Sequence, residues 1–333
     1  MYEVRSTSLS INLHTTPSST SHTNKYLSAF HNTTALRSSM THPTASESIS
    51  ADLAPSIATY SPHVPGHIDT EVAQARHRIR LVNLWHLEPG TRVLELGCGQ
   101  GTATAVLAEA VGASGHVDAV DPGAPDYGAP FTLAQAQQHL SASPVGGRIA
   151  WHRATPQDFL SATDAVWDVA VLAHCIWYFA SEQELEAIVR ALHGRVKRLC
   201  VAEYALHAAE RAAVPHVLAI LARGSLESFK DESIENVRSP LSPSSIKKVA
   251  TRAGWNCTHE SSVVPEPGLL DGFWEVGTVL SDGFLREVSQ AVSHERMRVV
   301  VTSARDAVAS AVSALDGAKV RTMDVWVAAF SRG

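Results

Sequence analysis

The sequence lacks the patterns that mark several large classes of protein. Its 333 residues include only four cysteines, and no two of them form a C-x-x-C pair. The spacing of a zinc site is therefore missing, and buried free thiols in a reducing compartment are expected. Lys and Arg number 27 against 33 Asp and Glu, so no basic footprint for nucleic acid exists. No apolar run approaches the ~20 residues that span a bilayer.

The N-terminal region lacks both sustained hydrophobic periodicity and acidic residues. Between Glu3 and Glu47 there is no acid, and Ser and Thr dominate. Such a segment buries too little apolar surface to offset its ordering entropy. We therefore expect residues 1–60 to be a disordered or poorly ordered tail before a domain over 61–333. The bias is also compatible with a mitochondrial presequence, so the expected location is the cytoplasm, or the mitochondrion if the tail is a presequence.

From residue 70 onward, predicted helices and strands alternate. A helix over 70–85, with Asp69 as its cap, precedes the first strand, and Ser181 and Glu184 form a capping box for a helix over 181–193. The predicted strands are 92–96, 116–120, 147–152, 166–173, 198–202, 255–264 and 323–330. This alternation predicts an α/β fold, a doubly wound and mostly parallel seven-stranded sheet.

Two stretches exceed what the alternation needs. Residues 205–240 predict an extra helical segment broken at Pro215 and Gly224. Residues 265–322 predict two helices, near 269–292 and 294–315. Because loops at the strand ends build substrate sites, both stretches are interpreted as a helical lid. A dimerisation arm is the alternative, which leaves a homodimer open.

A glycine turn follows the first predicted strand. Gly97, Gly99 and Gly101 form G-x-G-x-G, whereas a dinucleotide fingerprint needs G-x-G-x-x-G/A, and Thr102 stands at the place of the last glycine. Glu95 lies two residues before the turn. A pyrophosphate would meet this carboxylate where it needs amide donors, while a cationic nucleoside would be attracted to it. The pattern thus argues against a nicotinamide dehydrogenase.

The run Glu95-Leu96-Gly97-Cys98-Gly99-Gln100-Gly101 resembles the first motif of class I S-adenosylmethionine-dependent methyltransferases. Asp121, 26 residues after Glu95, lies where that family has its ribose-binding acid. The resemblance extends from about residue 70 to about 262 and implies S-adenosyl-L-methionine as cofactor. It implies a set of cofactor-binding positions: Glu95, Gly97, Cys98, Gly99, Gln100, Gly101, Asp121, Pro122, Thr155, Gln157, Asp158, Ala173 and His174.

Candidate substrate residues follow the fourth and fifth predicted strands. A histidine side chain can act as a general base near neutral pH, so His174 is a candidate for that role, although a structural hydrogen bond is the favoured explanation. Trp177 and Tyr178 are candidates for the pocket wall or for ordinary core aromatics. Tyr204 and Trp274 are further substrate candidates.

The sequence thus predicts methyl transfer to an oxygen or nitrogen of a small organic metabolite. A small molecule is the expected partner, with no nucleic acid, membrane or metal. The alternative is a methyltransferase-like protein that binds the cofactor without methyl transfer, either as a pericyclase-type catalyst or as a regulatory binding protein.

Overall fold

The computed structural model describes residues 49–333. Its strands are β1 (Arg92–Leu96), β2 (His116–Val120), β3 (Ile149–His152), β4 (Trp167–Ala173), β5 (Val196–Tyr204), β6 (Trp255–Val263) and β7 (Val325–Arg332). The α-helices are α1 (Ala54–Ala58), α2 (Ile68–Trp85), α3 (Thr102–Ala110), α4 (Leu133–Ser141), α5 (Pro156–Ala162), α6 (Glu182–Leu192), α7 (Val214–Glu227), α8 (Pro243–Arg252), α9 (Asp271–Leu280), α10 (Asp282–Ala291) and α11 (Glu295–Ser313).

The seven strands form a single sheet in the order β3-β2-β1-β4-β5-β7-β6. The first five strands along the chain run parallel, and β7 pairs antiparallel with both β5 and β6. The predicted doubly wound, mostly parallel sheet is confirmed. Chain order reverses at β1, which lies between β2 and β4, and such a reversal creates a crevice at the carboxyl ends of the strands.

The core lies on both faces of this sheet. Trp85, Trp255 and Phe330 are among the largest fully buried side chains, and each comes from a different part of the chain. Burial of one such side chain contributes about 1.5–3 kcal/mol. Because both faces of the sheet are covered, the central strands β4 and β5 are buried along nearly their whole length, as the sequence pattern predicted.

Several predicted boundaries differ from the structure. Asp69 lies inside the first turn of α2, and His67 is the N-cap residue without a side-chain cap. Strand β5 extends to Tyr204 because its pairing with β7 continues to that residue. Residues 49–60 are not tail-like, since α1 packs on α2 and Ile57 is buried. The tail expected before residue 49 lies outside the described residues.

The two insertions also differ in detail. Pro215 lies in the first turn of α7, where a missing N–H costs nothing, and the helix continues through Gly224. Glycine is needed there because a Cβ would lie 2.5 Å from Cγ of Pro240. The second insertion has three helices rather than two, since Ser281 caps α10 with its side chain and thereby separates α9 from α10.

Helices α7, α9, α10 and α11, here called the helical cover, share a second hydrophobic core. Val279, Phe284 and Val308 are buried in it. The cover reaches the carboxyl edge of the sheet, because His216 of α7 packs edge-on against Tyr204 at the end of β5. Among the helices of residues 49–333, none has the length and apolar composition needed to cross a bilayer.

Candidate functional site

Two glycines of the turn between β1 and α3 lie in close contact with neighbouring side chains. Gly97 has φ +74°, and a Cβ there would lie 2.5 Å from Cβ of Cys175. Gly101 has φ +90°, and a Cβ there would lie 2.7 Å from the ring of Trp151. Both positions therefore need glycine for left-handed backbone and close packing.

Gly99 differs from Gly97 and Gly101. Its φ is +53°, yet a Cβ there would meet nothing within 4 Å. The space beside Gly99 is thus open to a ligand. Of the two residues that flank it, Cys98 is buried, and Gln100 donates from Nε2 to the carbonyl of Phe131 at 2.6 Å.

Asp121 follows β2 and is held by two backbone amides. Gly99 N–H donates to Oδ2 and Gly123 N–H donates to Oδ1, each at 2.8 Å. A carboxylate has about four lone-pair positions, so two remain free for further donors such as a sugar diol. The carboxylate borders a cavity of about 220 Å³, which His152 and Arg153 also line.

Glu95 is the buried acid at the end of β1. Its Oε2 accepts a hydrogen bond of 2.6 Å from the Thr104 hydroxyl. Burial raises the pKa of this carboxyl to about 7, and the Asp121 charge acts in the same direction, whereas the Thr104 hydrogen bond lowers it. A positive group placed here would favour the ionised form.

Arg78 on α2 is a site residue that the sequence analysis missed. Its guanidinium nitrogen Nη1 is buried without a hydrogen-bond partner, while the residue as a whole is partly buried. Its charge acts on Glu95, whose pKa it lowers. A buried N–H donor without a partner is costly, and an oxygen of an anionic ligand would satisfy it. Only the fold reveals that Arg78 lies near Glu95, since the sequence of α2 shows an ordinary amphipathic pattern.

In the loop after β3, two of the predicted cofactor-binding residues form a local hydrogen-bonded pair. Thr155 caps α5 by accepting the Asp158 N–H, and its hydroxyl donates to the Asp158 carboxylate. These two side chains therefore satisfy each other. The cavity beside Asp121 is lined instead by His152 and Arg153, while Pro122, Gln157 and Thr155 are not among its lining residues.

His174 directly follows Ala173, the last residue of β4, and has a left-handed backbone with φ +54°. Such a conformation in a residue with a Cβ is uncommon and concentrates at functional sites. Nε2 lies 3.2 Å from Nε2 of His77 on α2. Nδ1 lies 3.7 Å from Oε1 of Glu203 on β5. The ring is nearly buried, and both nitrogens face protein groups.

The four substrate candidates occupy different environments. Trp177 is buried and donates from Nε1 to the Leu241 carbonyl, so it belongs to the core. Tyr178 and Trp274 are exposed by 47% and 49%, and Trp274 lines a cavity of about 340 Å³ together with Gln100. Tyr204 is buried, and its ring centroid lies 4.5 Å from that of His174.

Five residues from three elements and the end of β4 form what we call the polar chamber. Each has a buried polar atom without a hydrogen-bond partner, and the residues are Gln74, His77, His174, Tyr204 and His216. Burial lowers the pKa of His77 well below its usual value and that of His216 to about 4. Burial thus favours the neutral form of both rings, and the group of residues leaves several buried polar atoms unsatisfied.

Comparisons with known proteins agree on one family. A family model described as a methyltransferase domain matches residues 93–198. Two curated proteins of Diaporthe leptostromiformis, named methyltransferase phomM' and methyltransferase phomM, are each 30% identical to this chain over 294 residues. The match covers 74% of this chain and 75% of each relative.

One solved structure resembles the chain closely in shape. It is a cyclopropane-fatty-acyl-phospholipid synthase-like protein from Lactobacillus casei ATCC 334, with a TM-score of 0.75 and 27% sequence identity. The alignment covers 85% of this chain and 100% of that chain.

Proposed function

The chain belongs to the class I S-adenosylmethionine-dependent methyltransferases, and we propose that it transfers a methyl group to an oxygen or nitrogen of a small organic molecule. The cofactor of this class is S-adenosylmethionine. The observation that supports cofactor binding most directly is the open space at Gly99 beside the Asp121 carboxylate, which two amides hold in place.

The residues fit the three parts of the cofactor. Asp121 offers two free lone-pair positions to the ribose hydroxyls. Arg78 matches the carboxylate of the methionine part, and Glu95 matches its ammonium group. His152 and Arg153 border the cavity beside Asp121, so we assign them to the adenine side.

The bound sulfonium supplies an activated methyl group, and the protein contributes position and a dry environment. Effective molarities of ~10⁵ M or more show how far alignment alone can accelerate such a displacement. His174 and Tyr204 lie at the carboxyl edge of β4 and β5, next to the end of β1. We therefore expect the acceptor atom to approach from the polar chamber.

Two features support an oxygen or nitrogen acceptor of modest size. The polar chamber presents unpaired nitrogen and oxygen atoms, which suit an O–H or N–H group better than an alkene. Tyr178 and Trp274 offer partly exposed aromatic faces to the rest of the molecule. The cavity of about 340 Å³ that Trp274 lines has the size of a pocket for a metabolite.

A carbon acceptor is the second candidate. It is favoured by the 27% identity to a cyclopropane-fatty-acyl-phospholipid synthase-like protein, whose name refers to chemistry on carbon. The polar chamber argues against it, since an alkene would leave those buried groups unsatisfied.

Isotope transfer tests the proposal. Cofactor carrying a deuterated methyl group is incubated with the protein and a fractionated metabolite extract, and Asp121→Asn serves as the inactive control. We expect a product with the labelled methyl on oxygen or nitrogen, located by fragmentation. Label on carbon would favour the second candidate. Conversion of a compound into a product that carries no labelled methyl would favour the pericyclase-type alternative. If calorimetry shows no binding of the cofactor, the proposed methyl transfer is contradicted.

A further inference from the structure

Glu203 is the fixed end of a three-residue chain. Its Oε2 accepts the Ile176 N–H at 3.0 Å, and its Oε1 accepts the Tyr204 N–H at 2.9 Å. The side chain is 1% exposed. Because both oxygens accept backbone donors, the side chain is held in a fixed orientation.

The Glu203 oxygen favours one tautomer of His174. Oε1 lies 3.7 Å from Nδ1 of that ring, which has no hydrogen-bond partner. A lone pair on Nδ1 would face the carboxylate oxygen and be repelled, whereas an N–H would be attracted. The neutral ring of His174 therefore has its proton on Nδ1 and its lone pair on Nε2.

The same reasoning continues to His77. Its Nε2 lies 3.2 Å from the lone pair on Nε2 of His174, so His77 must donate there. Burial keeps the His77 ring neutral, so it carries one proton, on Nε2. Its Nδ1 is then a bare lone pair, buried and without a partner.

We propose that His77, His174 and Glu203 form a proton relay in which Nδ1 of His77 is the atom that receives the acceptor's proton. The inference rests on the proposed methyl transfer to oxygen or nitrogen. As the acceptor's lone pair forms the bond to the methyl carbon, the methyl–sulfur bond would break and its electron pair would stay on sulfur, leaving S-adenosylhomocysteine. The acceptor's O–H or N–H bond breaks in the same step, and the proton passes to Nδ1 of His77. The Nε2 proton of His77 moves to Nε2 of His174, and the new positive charge lies beside the Glu203 carboxylate.

This assignment changes the role expected for His174. Neither of its nitrogens is free to meet a substrate, since one accepts from His77 and the other faces Glu203. His174 and Glu203 are thus positioning residues, and His77 is the group that touches the acceptor. Its neighbours in the polar chamber, Gln74 and Tyr204, offer further hydrogen-bonding atoms for the acceptor.

The tautomers give a test that does not depend on activity. Nitrogen-15 spectra of histidine-labelled full-length protein distinguish Nδ1–H from Nε2–H rings, with His77→Asn and His174→Asn used for assignment. Asparagine suits position 174 because it tolerates a left-handed backbone. We expect His174 as the Nδ1–H form and His77 as the Nε2–H form between pH 7 and 8. An Nε2–H ring at His174 would overturn the relay.

The pH–rate profile gives the second test, with the acceptor found by isotope transfer. In His77→Phe we expect kcat to fall about 100-fold, the usual contribution of a general base, with an unchanged KM for the cofactor. The remaining rate should rise with hydroxide concentration, because the acceptor must then ionise in solution. His193→Phe is the matched control, since that ring packs on Trp255 outside the polar chamber.

The outcomes separate the two proposals. A profile in His77→Phe with the same shape as the wild type would contradict the relay even if methyl transfer is established. Failure of methyl transfer onto oxygen or nitrogen would contradict the proposed function, and the tautomers would still decide the relay geometry. Calorimetric binding of S-adenosylhomocysteine verifies that each variant is folded.

Discussion

The sheet edge and the helical cover contribute to the site in different ways. At the sheet edge, backbone groups and one short run of residues form most of the site. The amides of Gly99 and Gly123, for example, hold Asp121 in place. In the cover and in α2, single side chains reach the site from distant parts of the chain, such as His77 and His216. The first kind of site is readable from a motif, and the second depends on how the helices pack.

Removal of a large side chain from the core of the cover should produce the largest effect. Phe284→Ala is expected to lower the free energy of unfolding by about 3–5 kcal/mol, because the side chain is 4% exposed. Cofactor affinity should stay the same if the cover serves the acceptor alone. Urea unfolding and calorimetry measure both quantities. Leu285→Ala, at a partly exposed neighbouring position, is the control. A loss of cofactor affinity in Phe284→Ala would show that the helical cover and the sheet edge do not contribute separately.

At the sheet edge, Asp121→Asn should weaken cofactor binding by about 3 kcal/mol, since charge-assisted hydrogen bonds contribute about 1.5–3 kcal/mol each. The asparagine amide would also face one of the two N–H groups that now donate to the carboxylate. Titration with S-adenosylhomocysteine provides the measurement. Asp126→Asn, at an exposed position of the same loop, should bind normally. Equal affinity in both variants would disprove the ribose assignment.

Arg78 connects α2 to the sheet edge, so its replacement sharpens the comparison. Arg78→Gln should weaken S-adenosylhomocysteine binding by about 2 kcal/mol through loss of one charged hydrogen bond. Methylthioadenosine lacks the amino-acid carboxylate, and its affinity should not change. Arg80→Gln is the control, because Arg80 donates to the Val264 carbonyl on the exposed surface. A similar loss for both ligands would point to a structural role for Arg78.

The smallest effect is a pH dependence at Glu95. The pKa of this carboxyl is about 7, so it loses its proton as the pH rises through neutrality. A positively charged cofactor should therefore bind more tightly at pH 8 than at pH 6, by about tenfold if only the ionised form binds. Calorimetry across this range gives the slope, and Glu95→Gln should abolish it. The same slope in the variant would exclude Glu95 as its origin.

The sequence predicted the elements around the glycine turn closely. Strands β1 and β2 match the predicted ranges, because buried parallel strands bounded by glycine and proline leave little freedom in their ends. It predicted the insertions less well. In the sequence alone, Gly224 looks like a helix breaker. Only its close contact with Pro240 in the folded protein explains a glycine inside α7.

The candidate site shows the same division. Asp121 and the glycines were found because a strand, a turn and an acid are adjacent in the chain. Arg78 and His77 were not found, since each is one polar residue in an otherwise ordinary helix. A buried polar residue within an apolar pattern is the only signal that they offered.

By itself, the order of residues determined the alternating architecture, the turn and the cofactor class, because these depend on local periodicity and on neighbours a few positions apart. The tertiary structure alone decided which nitrogen of His174 meets His77, 97 residues away, and which faces Glu203. Packing between separate elements brings these groups together. Local chain geometry does not determine the 3.2 Å distance between Nε2 of His77 and Nε2 of His174.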